Sequence, residues 1–240
     1  MTVDDRYSID ELRFYVVELE LHSIMWFSTI AQPHIKTFVH TPLPLVHNYP
    51  LVLALQGQIV EESYVSRYNE YKRIGPPATM FREAEVYAYP MQFERVFYKK
   101  LLLSMSESDY LVYKARTRLA VPLMVTYNAF APGTRGRAVV VVPRERKLPE
   151  ELYLRLGAKR YGVLKAVDVR EARVEVVDRL VTVSSPFNVA DVLPETMRSS
   201  LVVIKHYAGD IAVSGVFTKA LDIRTGRDRI LKPIPFFISL

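Results

Sequence analysis

The sequence predicts an α+β fold dominated by strands, on three observations. Leu12–Leu21 alternates outward and inward positions, Val139–Val142 is a β-branched run just after a Pro-Gly turn, and the apolar run from Leu51 through Val60 follows helix-start residues.

Taken in order, Tyr15, Val17, Leu19 and Leu21 alternate with Val16, Glu18 and Glu20, the period-two pattern of a half-buried first strand. Prolines 42, 44 and 50 punctuate the next stretch, and Asn48 is placed to cap a helix with Pro50 in its first turn. The polar stretch from Glu61 to Pro77 reads as a loop, followed by Ala84–Tyr89 and Glu94–Leu103 as further strands or one long bent ribbon. Ala120–Ala131 and Arg137–Val142 flank Pro132-Gly133-Thr134-Arg135-Gly136, which predicts a β-hairpin. Pro149 and Glu150 open a short helical segment through Arg155, stopped by Gly157. Strands follow at Tyr161–Ala166, Arg173–Val183, Leu201–His206 and Ile211–Phe217, with a break at Ser184-Ser185-Pro186 and a turn at Ala208-Gly209-Asp210. Without repeats, low-complexity segments or Gly/Ser linkers, residues 1–240 read as one domain with no internal boundary.

A chain of 240 residues, 50% hydrophobic and 24% charged, is long enough for a sizeable core. The absence of cysteine excludes disulfides, cysteine-ligated zinc and thiol nucleophiles, and fits a reducing compartment. Its five histidines are scattered, and His34, His40 and His47 lack the spacing that puts two ligands on one helical face, so no metal site and no cofactor are expected. The acidic Asp4-Asp5 start and the lack of a ~20-residue apolar run imply no membrane segment and a cytoplasmic location.

The distribution of charge says more than the net +6. Residues 1–110 carry 10 Lys/Arg against 14 Asp/Glu, residues 111–160 carry 11 against 3, and residues 161–240 carry 11 against 9. The middle segment interleaves its cations with aliphatic and aromatic residues, so positive charge is displayed on folded structure, which favours a nucleic-acid partner over a merely solvated face.

Serine nucleophile elbows, phosphate loops, dinucleotide fingerprints and paired-histidine zinc motifs are all missing. A metal-free ribonuclease needs only a base, an acid and a cation, and His22, His47, His206 and Tyr161 keep that possibility open. The most informative stretch is Arg155-Leu156-Gly157-Ala158-Lys159-Arg160-Tyr161-Gly162. There two glycines permit close backbone approach to a phosphate, Lys159 and Arg160 supply charge, and Tyr161 offers a ring to a base. Tyr127 beside Asn128 is a second stacking candidate, Arg135 and Arg137 sit on a mobile hairpin tip, and Arg116 and Arg118 share one face of a presumed strand.

Several pieces, in order, resemble the Cas-five-type RAMP subunit of type I-D CRISPR effector complexes. They are Glu20-Leu21-His22 closing the first strand, Val46-His47-Asn48-Tyr49 before the first helix, Ala129-Phe130-Ala131-Pro132-Gly133-Thr134, the stretch Tyr153–Gly162, and Ser185-Pro186-Phe187-Asn188. The Arg-Leu-Gly-x-Lys-Arg element is the most specific, and the pieces span about residues 12–195. The resemblance implies a ferredoxin-like (RRM-like) RAMP domain with an inserted β-ribbon and a β-rich C-terminal part. It implies a non-catalytic subunit that holds the 5′ handle of CRISPR RNA, caps the filament of backbone RAMP subunits beside the large Cas-ten-type subunit, and meets target DNA in the assembled complex. Arg155, Lys159, Arg160 and Tyr161 would grip the handle, Arg135 and Arg137 would extend the contact, and Arg116, Arg118, Tyr127, Asn128, His47 and Asn48 complete the expected RNA-binding set. Two rivals stand beside this reading: a metal-independent endoribonuclease that processes repeat RNA, and an unrelated basic β-protein that assembles with other proteins.

Overall fold

The computed structural model of the chain describes residues 6–26, 39–59, 77–104, 124–157, 161–198, 200–204 and 209–240. Strand β1 (Leu12–Leu21) has the predicted bounds but lies at the centre of a sheet, buried on both faces over its first half. Phe14 and Val16 enter one core, while Tyr15, Val17, Leu19 and Leu21 enter the other. The alternation breaks the symmetry at Glu18 and Glu20, where the first of these faces turns from apolar to charged.

The remaining elements are β2 (Val39–His40), β3 (Leu45–Val46), α1 (Asn48–Ile59), α2 (Phe81–Ala84), β4 (Tyr87–Ala88), β5 (Met91–Arg95), β6 (Tyr98–Ser104) and β7 (Met124–Phe130). They are followed by β8 (Arg135–Pro143), β9 (Tyr153–Leu156), β10 (Gly162–Val183), β11 (Phe187–Asn188), β12 (Val202–Ile204), β13 (Ile211–Arg224) and β14 (Arg229–Lys232). The large sheet runs β11-β13-β10-β1-β8-β5-β3, with β4, β9, β12 and β14 attached, and β2-β7-β6 form a small second sheet. The four strands β10, β1, β8 and β5 stand in chain order four-one-three-two, and α1 enters the chain between the first and second of them. Residues of α1, with Leu51, Val52 and Leu55, pack with Val17, Leu19 and Leu21 in one core. The other core joins Phe14 and Val16 to the C-terminal strands through Phe187, Phe217 and Phe237. No helix among the described residues is long and apolar enough to cross a membrane.

Four expectations are corrected. The Pro132-Gly133 turn is present, but β7 and β8 do not form a hairpin: β7 pairs with β6 and β2, while β8 pairs with β1, β5 and β4. The turn is a clamped corner and no mobile tip, since Gly133 N–H donates to Leu21 O (2.8 Å), Leu21 N–H donates to Thr134 O (2.8 Å), and Thr134 is fully buried. Second, residues 153–156 form a strand and not the end of a helix, because buried Leu152, Leu154 and Leu156 alternate with exposed Tyr153 and Arg155. Third, the segments 161–166 and 173–183 are one continuous strand of 22 residues, whose first half pairs with β1 and second half with β13. Fourth, the segment from Ala84 to Tyr89 is mostly not strand: Ala84 ends α2, Glu85 adopts a left-handed φ of 51°, and only Tyr87 and Ala88 pair. The predicted 61–77 loop falls outside the described residues except at Pro77.

Candidate nucleic-acid interface

Antiparallel register carries one residue of each neighbouring strand into line with Glu20. Lys165 on β10 and Arg135 on β8 flank Glu20, Tyr153 on β9 lies beyond Lys165, and Arg95 on β5 lies beyond Arg135. These five residues form one row across the charged half of the sheet. Lys165 lies over the Tyr153 ring at 5.5 Å, and Arg95 over the exposed Phe97 ring at 5.0 Å, so both cations are steadied by aromatic faces. Arg135 is instead bound to carboxylates, Nη2 to Glu20 at 2.5 Å and Nη1 to Glu18 at 3.7 Å.

The row ends at a true β-hairpin, β9 to β10, in which Leu156 faces Gly162. Gly157 and Tyr161 border the connection between its two strands, and residues 158–160, with Lys159 and Arg160, lie outside the described residues. The two glycines serve the protein's own packing: a Cβ on Gly162 would stand 2.5 Å from Met25 Cγ, and one on Gly157 2.7 Å from the same atom. Gly157 also takes a φ of +82°, a left-handed conformation that favours glycine. Tyr161 is 54% exposed and stacks on Trp26, with ring centroids 5.3 Å apart and planes 25° from parallel. Ser23 locks the pair to the end of β1, its Oγ donating to Tyr161 O (2.6 Å) and accepting from Val163 N–H (2.7 Å). Arg155 is exposed on β9 opposite Val163. Among the described residues, Arg95, Arg155 and Lys165 have no carboxylate within ion-pair distance, which leaves their charge available to a polyanion.

One row further in, Arg137 pairs with Glu94 and with Asp228, and Asp228 also accepts from Arg170 at 2.9 Å. Glu94 and Asp228 keep the Arg137 guanidinium charged even as partial burial works against it. Beside it opens a groove of about 550 Å³, lined among others by Gln92, Arg137, Ser184, Ser185, Arg227 and Lys232. Lys232 is buried; its Nζ donates to Pro186 O (2.8 Å) and lies 5.1 Å above the Tyr89 ring, and desolvation lowers its pKa to about 7.

His47 and Asn48 lie elsewhere, in the interior. Asn48 does not cap α1 with its side chain, as predicted, but donates Nδ2–H to Asp191 Oδ2 (2.6 Å) and accepts from Asn188 (3.3 Å). His47 takes the local role, its Nδ1 accepting from Tyr49 N–H (3.2 Å), while its Nε2 meets Gly209 O at 3.2 Å. Asp191 also accepts from Ala78 N–H (3.0 Å) and Tyr87 OH (3.2 Å). Burial drives its carboxyl up to about 7 against the lowering effect of these three donors, and burial with that carboxylate pushes Tyr49 up to about 12. The network joins two of the quoted motif segments, 46–49 and 185–188.

Of the expected site residues, the structure therefore brings together Arg155, Tyr161 and Arg135, with Arg137 in the next row. Tyr127 and Asn128 lie on β7 in the small sheet, where Asn128 Nδ2 donates to Thr41 Oγ1 (2.6 Å). Arg116, Arg118 and His206 lie outside the described residues. Sequence reasoning missed Trp26, Tyr153, Lys165 and Arg95. The available signal for Trp26 was that the chain's one tryptophan follows directly after the first strand.

Residues 12–209 match the family described as Type I-D CRISPR-associated protein Cas5/Csc1. Nothing matches among curated proteins. Among solved structures, a CRISPR protein from Archaeoglobus fulgidus is similar at 12% identity over 92% of this chain and 99% of that one, with a TM-score of 0.41. The family match runs from the first residue of β1 to Gly209 at the buried His47 network, thus taking in both the hairpin row and that network, and the chain belongs to the type I-D CRISPR-associated Cas5/Csc1 family.

Proposed function

We propose that the chain is a non-catalytic RNA-binding subunit of a type I-D CRISPR effector complex, acting in the cytoplasm as one RAMP-type unit of ferredoxin-like descent. It holds the 5′ handle of the CRISPR RNA on the open charged end of its sheet and caps the backbone filament beside the large Cas-ten-type subunit, close to the target DNA. The observation that carries this reading is the row Tyr153–Lys165–Glu20–Arg135–Arg95, which ends at the Trp26–Tyr161 stack. Cations spaced along strands neutralise successive phosphates, and exposed rings stack unpaired bases at ~1–3 kcal/mol each. Arg95, Arg155 and Lys165 bear the phosphate contacts with Lys159 and Arg160. Arg135 and Arg137, already matched to carboxylates, order the face and contribute less charge. His47 and Asn48 act from inside by fixing the start of α1, and Tyr127, Asn128, Arg116 and Arg118 serve as auxiliary contacts.

The test is a fluorescence titration of handle RNA at several salt concentrations. Replacing Lys159 and Arg160 together by alanine weakens binding in every sequence context and lowers the log–log salt slope by about 1.4, at ~0.7 per single-strand phosphate contact. An unchanged slope removes the hairpin tip from the interface.

One observation favours the ribonuclease reading: His22 is exposed with Nε2 3.7 Å from Glu20 Oε1, on the same end as Tyr161 and Lys165. Incubation with repeat RNA in chelator separates the two. Intact RNA supports the binder; specific cleavage that His22→Ala abolishes supports the enzyme.

A further inference from the structure

The groove beside Arg137 is not needed to explain the hairpin grip, yet its charges are unevenly satisfied. Glu94 and Asp228 are matched to Arg137 and Arg170, and the fully buried Asp222 is matched to Arg224 and Arg229 at 2.6 and 2.9 Å. Among the described residues, two lining cations are left with no carboxylate in ion-pair distance, Arg227 and Lys232. Arg227 is exposed on the turn between β13 and β14, whose backbone is tied down by Thr225 Oγ1 accepting from Arg227 N–H (3.3 Å) and Asp228 N–H (3.0 Å). Lys232 is 4% exposed and has a single carbonyl, Pro186 O, as its hydrogen-bond acceptor.

A buried amine that keeps no counter-ion is costly as a cation, and such groups are paired, coordinated or neutral. Here the missing counter-charge has a place to sit, since Lys232 lines an open groove with a second uncommitted cation on its rim and the exposed Ser184 hydroxyl among the lining groups. The groove also adjoins the charged row, because Arg137, one row further in, stands opposite Glu18 on β1 and lines the cavity.

We propose that this groove is a phosphate site, in which Arg227 and Lys232 hold one phosphodiester of the strand that crosses the open face. The inference rests on the handle-binding reading and extends the path of the strand from the hairpin, past Arg137, to the turn between β13 and β14. A phosphate there supplies Lys232 with the counter-ion that the fold omits. Arg227 provides the bidentate fork suited to phosphate oxygens.

The test uses the full chain and a fluorescein-labelled single-stranded RNA carrying the handle, titrated at about 50–200 mM salt. Arg227→Ala and Lys232→Met each lower affinity about 3- to 10-fold, and the two together reduce the salt slope by roughly 0.7, the share of one phosphate. Should Lys232→Met fold poorly, the exposed Arg227→Ala decides alone. Inorganic phosphate at low millimolar concentration leaves wild-type RNA binding unchanged if the ligand is a phosphodiester of the strand. Saturable phosphate binding that requires both residues, with RNA affinity untouched by either substitution, overturns the assignment in favour of a free anion. If Arg155→Ala and Tyr161→Ala weaken RNA binding while both groove variants keep wild-type affinity and slope, the groove inference falls and the hairpin grip stands. If all four variants bind as wild type, both readings fall.

Discussion

The Tyr153–Gly162 hairpin and the His47–Asn48–Asn188–Asp191 cluster both hold residues that resemble the family's motifs, and they use them in opposite ways. At the hairpin, Tyr153, Arg155 and Tyr161 stand in solvent, with the Arg155 charge uncommitted; in the cluster, the polar side chains are buried and bonded to each other across about 140 residues of chain. A sequence motif names side chains without saying whether they face outward. The difference teaches that a motif can be retained to hold the platform as readily as to touch the ligand, and the two roles separate under mutation.

The largest effect is expected in the cluster. Asp191→Ala leaves Ala78 N–H, Asn48 Nδ2 and Tyr87 OH without an acceptor, and costs about 3 kcal/mol of stability by denaturant unfolding. RNA affinity per folded molecule is unchanged; a parallel loss of affinity would break the comparison. The same carboxyl gives a pH signature. Its folded pKa, about 7, lies above the ordinary value, so its contribution to stability is full below about pH 4 and is lost as pH rises through 7. Unfolding free energy therefore declines over that window, by up to about 1.4 kcal/mol per pH unit from this group, and Asp191→Asn flattens the decline.

An intermediate case sharpens the contrast. Gly162→Ala drives a Cβ against Met25, which is fully buried, so it destabilises by about 1–3 kcal/mol and also displaces the hairpin. Both stability and RNA binding fall, the one variant expected to move both readouts.

The smallest effect on stability belongs to the surface stack. Trp26→Ala or Tyr161→Ala changes unfolding free energy by less than about 1 kcal/mol, while RNA affinity drops about 5- to 10-fold through loss of ~1–1.4 kcal/mol of stacking. Equal losses in both measurements would mean that the stack only packs the hairpin.

How much of this was legible in the chain depended on how local each determinant is. β1 and α1 were readable because alternation and an apolar run are local signals, and their bounds match to within a residue. The Leu152-Tyr153-Leu154-Arg155-Leu156 alternation was equally local but was outvoted by Pro149 and Gly157, which punctuate strands as well as helices. The false hairpin at Pro132 arose because adjacency in sequence suggested pairing, whereas β8 finds its partners in β1, more than a hundred residues earlier, and in β4 and β5. Tyr161 and Arg155 were visible as a basic-aromatic cluster. The Lys165–Glu20–Arg135 row was not, since it exists only through register between three distant strands. The interior position of His47 and Asn48 was hidden for a similar reason: their partners are Gly209, Asn188 and Asp191.

The central position of β1 bears on how the chain comes off the ribosome. It is made well before its two flanking strands, which begin at Arg135 and Gly162. At ~5–20 residues per second, both its edges wait on the order of ten seconds for a mate. During that interval Phe14, Val16 and Val17 lack their cores, so yield in a heterologous host should depend on chaperone supply and translation speed more than on the stability of the finished protein.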